Sequence, residues 1–223
     1  MKAVVFDLDG TLLDTLEDLT FATNYAISHY GYPSITKEDT KKYIGNGIHN
    51  LILRIVEHDL THIDEMFLKF KKYYSIHCLD FTKPYPGIYQ TLDRLKEDGY
   101  RLGCVSNKAQ YALDILIKKH FDGYFEVVIG DGVYKRKPDP EAIYETSKRL
   151  NVRIEDLIYV GDSDVDVMTV YNAKCKGVFV SYGFREKEVL VNLGAKNIVD
   201  SAYNIYNKVK EIEEWWILMR SYL

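Results

Sequence analysis

The sequence lacks the features that mark several protein classes. It has three cysteines in 223 residues, Cys78, Cys104 and Cys175, and no two of them form a CxxC pair. This pattern predicts neither a disulfide framework nor a zinc site. No apolar stretch approaches the ~20 residues of a membrane span, and the chain starts directly in a strand-like run, without the pattern of a signal peptide. We therefore expect a cytoplasmic protein with no membrane partner.

The sequence also lacks an excess of basic residues. The chain has 29 Lys and Arg against 33 Asp and Glu, which gives a net charge of −4. Nucleic-acid-binding proteins usually carry a basic face or stripe, so we expect no nucleic-acid partner. The 19 tyrosines are spread along the whole chain and indicate half-buried rings rather than a surface that stacks on bases. An anionic substrate would need positive partners that are clustered locally.

Short apolar runs indicate the fold class. Five such runs occur, and segments of helical periodicity separate the last four of them. This alternation predicts an α/β protein with a doubly wound, mainly parallel, Rossmann-like sheet. The five predicted strands are residues 3–6, 101–105, 125–129, 157–160 and 177–180.

The segment between the first two predicted strands is too long for one crossover. Residues 14–82 show only helical patterns, among them a capping arrangement of Thr36 with Asp39. We predict that 14–82 form a small helical domain, inserted into an α/β core made of 1–13 and 83–200.

The C-terminal tail, residues 201–223, has Ile205, Val209, Ile212 and Trp216 at helical spacing. Its end is apolar on nearly every side. We expect this tail to pack on the core or on a partner subunit, so the sequence allows a monomer or a homodimer.

Residues suited to phosphate chemistry follow the predicted strands. They are FDLDGT at 6–11, SNK at 106–108, KRKP at 135–138 and GDSDVD at 161–166. Ligands of open α/β sheets bind beyond the carboxyl ends of the strands. Carboxylates together with phosphate oxygens suit Mg²⁺, and hydroxyls, turn amides and a lysine suit a phosphoryl group. The sequence therefore predicts magnesium-dependent phosphoryl transfer.

FDLDGT, VSNK, KP and GDSDVD, in this order and spacing, resemble the four motifs of the haloacid dehalogenase-like hydrolase superfamily. The helical insertion stands where that family has its smaller cap domain. Within the superfamily, YIGNG at 43–47 and PYPG at 84–87 are similar to phosphoglycolate phosphatases. The resemblance implies a Mg²⁺-dependent phosphatase acting on a small phosphomonoester, with 2-phosphoglycolate as the best single candidate.

The resemblance also implies roles for individual residues. Asp7 is expected to be the nucleophile that forms an aspartyl-phosphate. Asp9 is expected to protonate the leaving oxygen and then to activate water. Lys137 would offset charge on Asp7 and the phosphoryl group, although Lys135 and Arg136 compete for this role. Asp7, Asp162 and the backbone carbonyl of Asp9 would hold Mg²⁺.

Further roles concern the surroundings of these groups. Asp166 would orient Lys137 or metal-bound water from outside the ligand set. Thr11, Ser106 and Asn107 are candidates for holding the phosphate. The turn Gly45-Asn46-Gly47 is a candidate substrate loop, although it could equally only join two helices. His49 or Arg54, on the helix that follows, could meet the anionic end of the substrate.

Other functions of the same chemistry stay open. A pyrophosphatase or a sugar-phosphate mutase could use the same scaffold. A signalling receiver domain also uses Asp, Mg²⁺, Ser or Thr and Lys around an aspartyl-phosphate. Asp9 argues against a dehalogenase, since a halide leaves without a proton. Asp9 and the helical insertion also argue against a receiver, which needs neither an efficient acid nor a lid over a substrate.

Overall fold

Six parallel strands form the main sheet, in the order Val127–Asp131, Arg101–Ala109, Ala3–Phe6, Leu157–Gly161, Lys176–Val180 and Ile198–Val199. The computed structural model describes residues 2–45 and 47–220, without the side chains of residues 216, 217, 219 and 220. The prediction of a doubly wound α/β fold is confirmed. The strands are β1 Ala3–Phe6, β2 Leu13–Asp14, β3 Lys83–Pro84, β4 Arg101–Ala109, β5 Val127–Asp131, β6 Leu157–Gly161, β7 Lys176–Val180 and β8 Ile198–Val199.

Ten α-helices accompany these strands in the part of the chain just defined. They are α1 Leu16–Ser28, α2 Lys37–Tyr43, α3 Ile48–Ile55, α4 Ile63–His77, α5 Ile88–Glu97, α6 Gln110–His120, α7 Glu141–Arg149, α8 Asp164–Ala173, α9 Lys187–Asn192 and α10 Ile205–Arg220.

The strands are apolar because both faces of the sheet are covered. In β1, Val4 and Phe6 belong to one hydrophobic cluster, whereas Ala3 and Val5 belong to another. Successive side chains of a strand point to opposite faces, so one short run contributes to both layers. Burial on both faces is the usual condition of a parallel sheet, and it places β1 in the middle of the core.

Three short strands depart from the prediction. β8 extends the sheet beside β7, and β2 pairs with β3 as an antiparallel ribbon through Leu13 with Pro84 and Asp14 with Lys83. Each of the three has two residues, too few to show a periodicity. The third predicted strand begins at Val127 instead of residue 125. The β2–β3 ribbon lies where the chain leaves the α/β core and returns to it.

The four helices between β2 and β3 share one hydrophobic cluster, to which the α/β core adds Ala112 and Phe184. α1 packs along α4, and the cluster includes Leu19, Ile27, Ile52 and Phe70. α2 begins with the expected capping box, in which the Thr36 hydroxyl accepts from the Asp39 amide while the Asp39 carboxylate accepts from the Thr36 amide. Helix patterning in this segment was therefore predicted correctly.

The first half of α10 packs onto the main core. Ile205 and Val209 are fully buried there, and the buried Glu213 pairs with Lys2 at 2.8 Å. Trp215 is exposed, and the side chain of Trp216 lies outside the described part. No helix of the described residues has both the length and the apolar character that crossing a membrane requires.

Candidate active site

A cavity lies between the carboxyl edge of the sheet and the helices of residues 16–77. β4, β1 and β6 are neighbours in the sheet, so the loops that follow them meet at one point. Residues of the sheet edge that line the cavity are Asp7, Asp9, Ser106, Asn107, Lys108, Lys137 and Asp162; the helical segment contributes Leu19, Gly45, Gly47, Ile48, Phe70 and Tyr74.

Three buried carboxylates and one lysine form a cluster at the base of the cavity, which Asp7, Asp162 and Lys137 line. Asp7, Asp162 and Asp166 each offer an oxygen within 4.8 Å of the others. Lys137 Nζ lies 3.0 Å from Asp7 Oδ1 and 2.8 Å from Asp166 Oδ1. The local charge is negative, because one ammonium group faces three carboxylates.

The pKa values reflect burial first and this excess of negative charge second. Burial raises the pKa of Asp7 to about 7, with further increases from the charges of Asp166 and Asp9, although Lys137 opposes the shift. Burial and the charges of Asp166 and Asp7 raise the pKa of Asp162 well above its ordinary value. A divalent cation would relieve this repulsion, and carboxylate oxygens are the ligands that hard cations prefer. The donor set therefore fits a divalent metal.

Asp166 is occupied by hydrogen bonds on both oxygens. One oxygen accepts from Lys137 and from the hydroxyl of Tyr159; the other accepts from the Ser163 hydroxyl at 2.6 Å and from the amides of Asp162 and Ser163. Although burial opposes it, Lys137 and these hydrogen bonds lower the pKa of Asp166. Asp166 thus fixes Lys137 and the start of α8.

Asp9 is held apart from this group by different partners. Its Oδ1 accepts from the Thr15 hydroxyl at 2.6 Å and from Lys108 Nζ at 2.9 Å. The Lys108 ammonium also lies 4.7 Å from the centre of the Tyr74 ring. Lys108 was not among the predicted site residues. Its signal in the sequence was its place in the same strand-end motif as Ser106 and Asn107.

Other predicted residues lie close by but differ in their contacts. Ser106 lines the cavity. The Asn107 amide accepts from the backbone N–H of Lys137 at 2.8 Å and donates to its carbonyl at 2.9 Å. The Thr11 hydroxyl donates to Asp162 at 3.2 Å, and Thr11 is not among the described residues that line the cavity.

Gly10 permits the close approach of Asp162. Its φ of +82° lies in the left-handed region, and a Cβ there would come within 2.2 Å of Asp162 Oδ2. Any other residue would therefore push away a carboxylate of the site.

The loop between α2 and α3 reaches the cavity through Gly45 and Gly47. Asn46, the predicted substrate contact between them, lies outside the described residues. His49 and Arg54 do not line the cavity as the structure describes it. Instead, Arg54 donates to the carbonyl of Tyr43 at 2.8 Å, and His49 lies 3.5 Å from Asp64.

Arg185 is a second lining residue that the sequence analysis missed. It follows β7, and its guanidinium binds Asp164 at 2.9 Å, the carbonyl of Lys41 at 2.7 Å and the carbonyl of Ile44. It thereby joins the loop of Gly45 to the sheet edge. The sequence offered no signal for it, because the strand-end motifs stop before β7.

The family model of haloacid dehalogenase-like hydrolases matches residues 4–180. The chain belongs to this family. Among curated haloacid dehalogenase-like relatives, a phosphoglycolate phosphatase of Nitrosospira multiformis is 35% identical over 211 residues, covering 91% of this chain and 93% of the relative. One of Thiobacillus denitrificans is 32% identical, covering 90% and 92%. The resemblance found in the motifs is thus confirmed.

Solved structures of the haloacid dehalogenase-like family share the whole architecture. A crystal structure from Lactobacillus delbrueckii subsp. bulgaricus, provisionally named a phosphoglycolate phosphatase, superposes with a TM-score of 0.89 at 33% identity. The match covers 94% of this chain and 99% of that one.

Proposed function

We propose that this protein is a Mg²⁺-dependent phosphatase that hydrolyses a small phosphomonoester, 2-phosphoglycolate, through an aspartyl-phosphate on Asp7. The observation that carries the proposal is that two carboxylates close together in the sequence pair with two different lysines. Asp7 lies 3.0 Å from Lys137 inside the acidic group, whereas Asp9 pairs with Lys108. The choice of substrate follows the relatives named phosphoglycolate phosphatase.

The metal would be held by the carboxylates of Asp7 and Asp162 and by the backbone carbonyl of Asp9. When bound, Mg²⁺ would offset the charge of the nucleophile and of the phosphoryl oxygens. The raised pKa values of Asp7 and Asp162 support this assignment. They mean that ionisation of these two carboxyl groups is unfavourable, and a bound cation would favour it.

Asp7 would act as the nucleophile. One of its oxygens attacks phosphorus, the bond from phosphorus to the ester oxygen breaks, and Asp9 gives that oxygen a proton. Water then attacks the aspartyl-phosphate while Asp9 takes up a proton, so that phosphate leaves and Asp7 is restored. Asp9 lines the cavity two residues after Asp7, which suits a group that serves the leaving oxygen.

Lys137 would stabilise the charge that develops on the phosphoryl oxygens. Asp166 and the side chain of Asn107 keep this lysine in position through its ammonium group and its backbone. Ser106 lines the cavity nearby and would donate its hydroxyl to a phosphoryl oxygen. Thr11 would act indirectly, through its hydrogen bond to Asp162.

Residues 14–82 would form a cap domain over a core of residues 1–13 and 83–200. The cap would shield the aspartyl-phosphate from uncontrolled access of water, and its loop at Gly45 and Gly47 would contact the substrate. The hydrophobic cluster that joins α1–α4 supports the division, since only Ala112 and Phe184 of its buried members come from the α/β core. We also propose a cytoplasmic location without nucleic-acid or membrane partners, in keeping with the free cysteines Cys78, Cys104 and Cys175.

Phosphate release from a panel of phosphomonoesters, measured with Mg²⁺ and with EDTA, tests the proposal. We expect metal-dependent release and the highest kcat/KM for 2-phosphoglycolate. Pyrophosphate and a sugar phosphate belong in the panel, with product analysis to detect isomerisation. Isomerised sugar phosphate without free phosphate would refute the hydrolase assignment and identify a mutase.

A further inference from the structure

Three cationic side chains line the cavity in the part of the chain that the structure describes: Lys108, Lys137 and Arg185. Lys137 is committed to Asp7, Asp166 and the hydroxyl of Tyr159. An ammonium group has three donors, so these contacts use all of them. Lys137 therefore acts on the reacting end of the substrate through its charge, from its place beside Asp7, and has no donor left for the other end.

Arg185 is equally committed. Its Nε and both terminal nitrogens donate to Asp164, to the carbonyl of Lys41 and to the carbonyl of Ile44. Lys108 differs, because its hydrogen bond to Asp9 uses one donor of three. It is therefore the cation with the most capacity for a ligand among these three.

Tyr74 gives a second indication of a ligand beside Lys108. It is 2% exposed and lines the cavity. Its hydroxyl makes no hydrogen bond of regular geometry among the described residues, although the Lys108 ammonium lies close enough to influence its pKa. Buried hydroxyls are nearly always hydrogen-bonded. Since the Tyr74 ring lies against the Lys108 ammonium, an anionic ligand at Lys108 would meet the Tyr74 hydroxyl as well.

The other residues of the cavity wall restrict the kind of substrate that fits. Apart from Tyr74, the described side chains that the helical segment contributes to this wall are apolar: Leu19, Ile44, Ile48 and Phe70. A sugar would leave several hydroxyls without partners on such a wall, which is costly. A short substrate with one anionic group fits better, because Lys108 and Tyr74 can satisfy that group alone.

We propose that Lys108 and Tyr74 form a carboxylate subsite, which makes the enzyme prefer phosphomonoesters that carry a carboxylate next to the ester. This inference rests on the proposed function and adds the residues that select the substrate. In the complex, Lys108 bridges Asp9 and the substrate carboxylate, and Tyr74 donates its hydroxyl to the same carboxylate. A residue of the core and a residue of α4 thus recognise one group together.

Two substrates of equal length test the subsite. Ethyl phosphate has a methyl group where 2-phosphoglycolate has its carboxylate, so the ratio of their kcat/KM values measures recognition of that group. Lys108→Met should lower this ratio at least about tenfold, mainly through KM for 2-phosphoglycolate, because the substrate carboxylate would then be buried without a cationic partner. Lys108→Arg should keep the ratio within about threefold of wild type.

Tyr74→Phe should lower the ratio about three- to tenfold, since it removes one hydrogen bond to a charged group. Lys135→Met is the matched control, because Lys135 is largely exposed and pairs with Asp139; it should leave both kcat/KM values as in wild type. Circular dichroism verifies folding. Should Lys108→Met fail to fold, Tyr74→Phe decides, and an unchanged ratio there overturns the subsite.

The outcomes separate the two proposals. The subsite alone is overturned if the wild-type enzyme hydrolyses 2-phosphoglycolate and Lys108→Met has the same ratio of kcat/KM values as the wild type. Equal losses for both substrates also overturn it, since Lys108 would then act only through Asp9. A wild-type enzyme that hydrolyses ethyl phosphate but not 2-phosphoglycolate overturns both the substrate assignment and the subsite. An enzyme inactive on every phosphomonoester refutes the proposed function itself.

Discussion

Asp7 and Asp9 are one residue apart, yet they belong to different charge pairs. Asp7 faces Lys137 and the other two buried carboxylates, whereas Asp9 faces Lys108 and Thr15. Two like charges at this spacing repel each other unless each has a cation nearby. The two lysines provide these cations from separate strand ends, and this separation allows the two carboxylates to perform different chemistry.

Asp7→Asn should abolish turnover and also stabilise the metal-free protein. An amide cannot attack phosphorus, so kcat should fall on the order of 10⁴-fold or more. The same change removes one of the buried charges that face a single lysine, so the melting temperature in EDTA at pH 7.5 should rise. Phosphate release and thermal unfolding measure the two effects. Full activity of this variant would exclude Asp7 as the nucleophile.

At the scale of residues, the strand-end rule predicted the acidic part of the site well. Asp7 and Asp162 follow β1 and β6, and Ser106 lies near the carboxyl end of β4, so their convergence depends only on strand order. Lys108 was predictable in principle from its place in the same motif as Ser106. Arg185 was not, because its role depends on how α2 sits against the sheet, a tertiary arrangement that no local pattern encodes.

At the scale of elements, Arg185 connects two parts of the fold that are far apart in sequence. It binds carbonyls at the C-terminal end of α2, where positive charge is favourable, and Asp164 at the start of α8. Lys41 and Glu186 add an ion pair of 3.1 Å beside it. The loop of Gly45 and Gly47 therefore depends on a side chain of the core for its position.

Arg185→Ala should raise KM for 2-phosphoglycolate about tenfold with a smaller effect on kcat, since it loosens the loop rather than the reacting groups. Hydrogen exchange of residues 41–45 should become faster. Arg149→Ala is the control, because Arg149 pairs with Glu145 on the surface of α7. Unchanged KM and unchanged exchange in Arg185→Ala would show that the loop holds its position without this contact.

Lys174 ends α8 in a conformation that favours glycine. Its φ is +56° and its ψ is +33°, in the left-handed region that costs an L-residue roughly 1 kcal/mol. Lys174→Gly should therefore increase the free energy of unfolding by about 0.5–1 kcal/mol, as measured in urea. Lys148→Gly, in the last turn of α7, should decrease it by a similar amount. A destabilising Lys174→Gly would mean that its side chain has a stabilising contact.

The elements that the sequence predicted are those that repeat a pattern several times. β1 matched at both ends, and the capping box of α2 matched residue by residue. The two-residue strands β2, β3 and β8 were missed because their pairing is determined by neighbours brought together in space. This omission matters for the site, since the β2–β3 ribbon is the connection between the α/β core and the helices that cover the cavity.

At the scale of the whole molecule, stability should depend on pH through the buried carboxylates. The folded chain binds the proton of Asp7 with a pKa of about 7, compared with an ordinary value of 3.8. The folded state thus holds more protons than the unfolded state between these values, and the free energy of unfolding must fall as pH rises through this window. Asp162 acts in the same direction, whereas Asp166 acts in the opposite one.

Mg²⁺ should reverse this trend, because it binds the carboxylates only after they lose their protons. The difference in melting temperature between Mg²⁺ and EDTA should therefore widen from pH 5.5 to pH 8. At a concentration of 100 times Kd, the metal would add about 2.7 kcal/mol. Asp162→Asn should remove most of this difference. Asp164→Asn, in the same loop but paired with Arg185, should retain it. A Mg²⁺ effect independent of pH would show that the metal binds elsewhere than at the buried carboxylates.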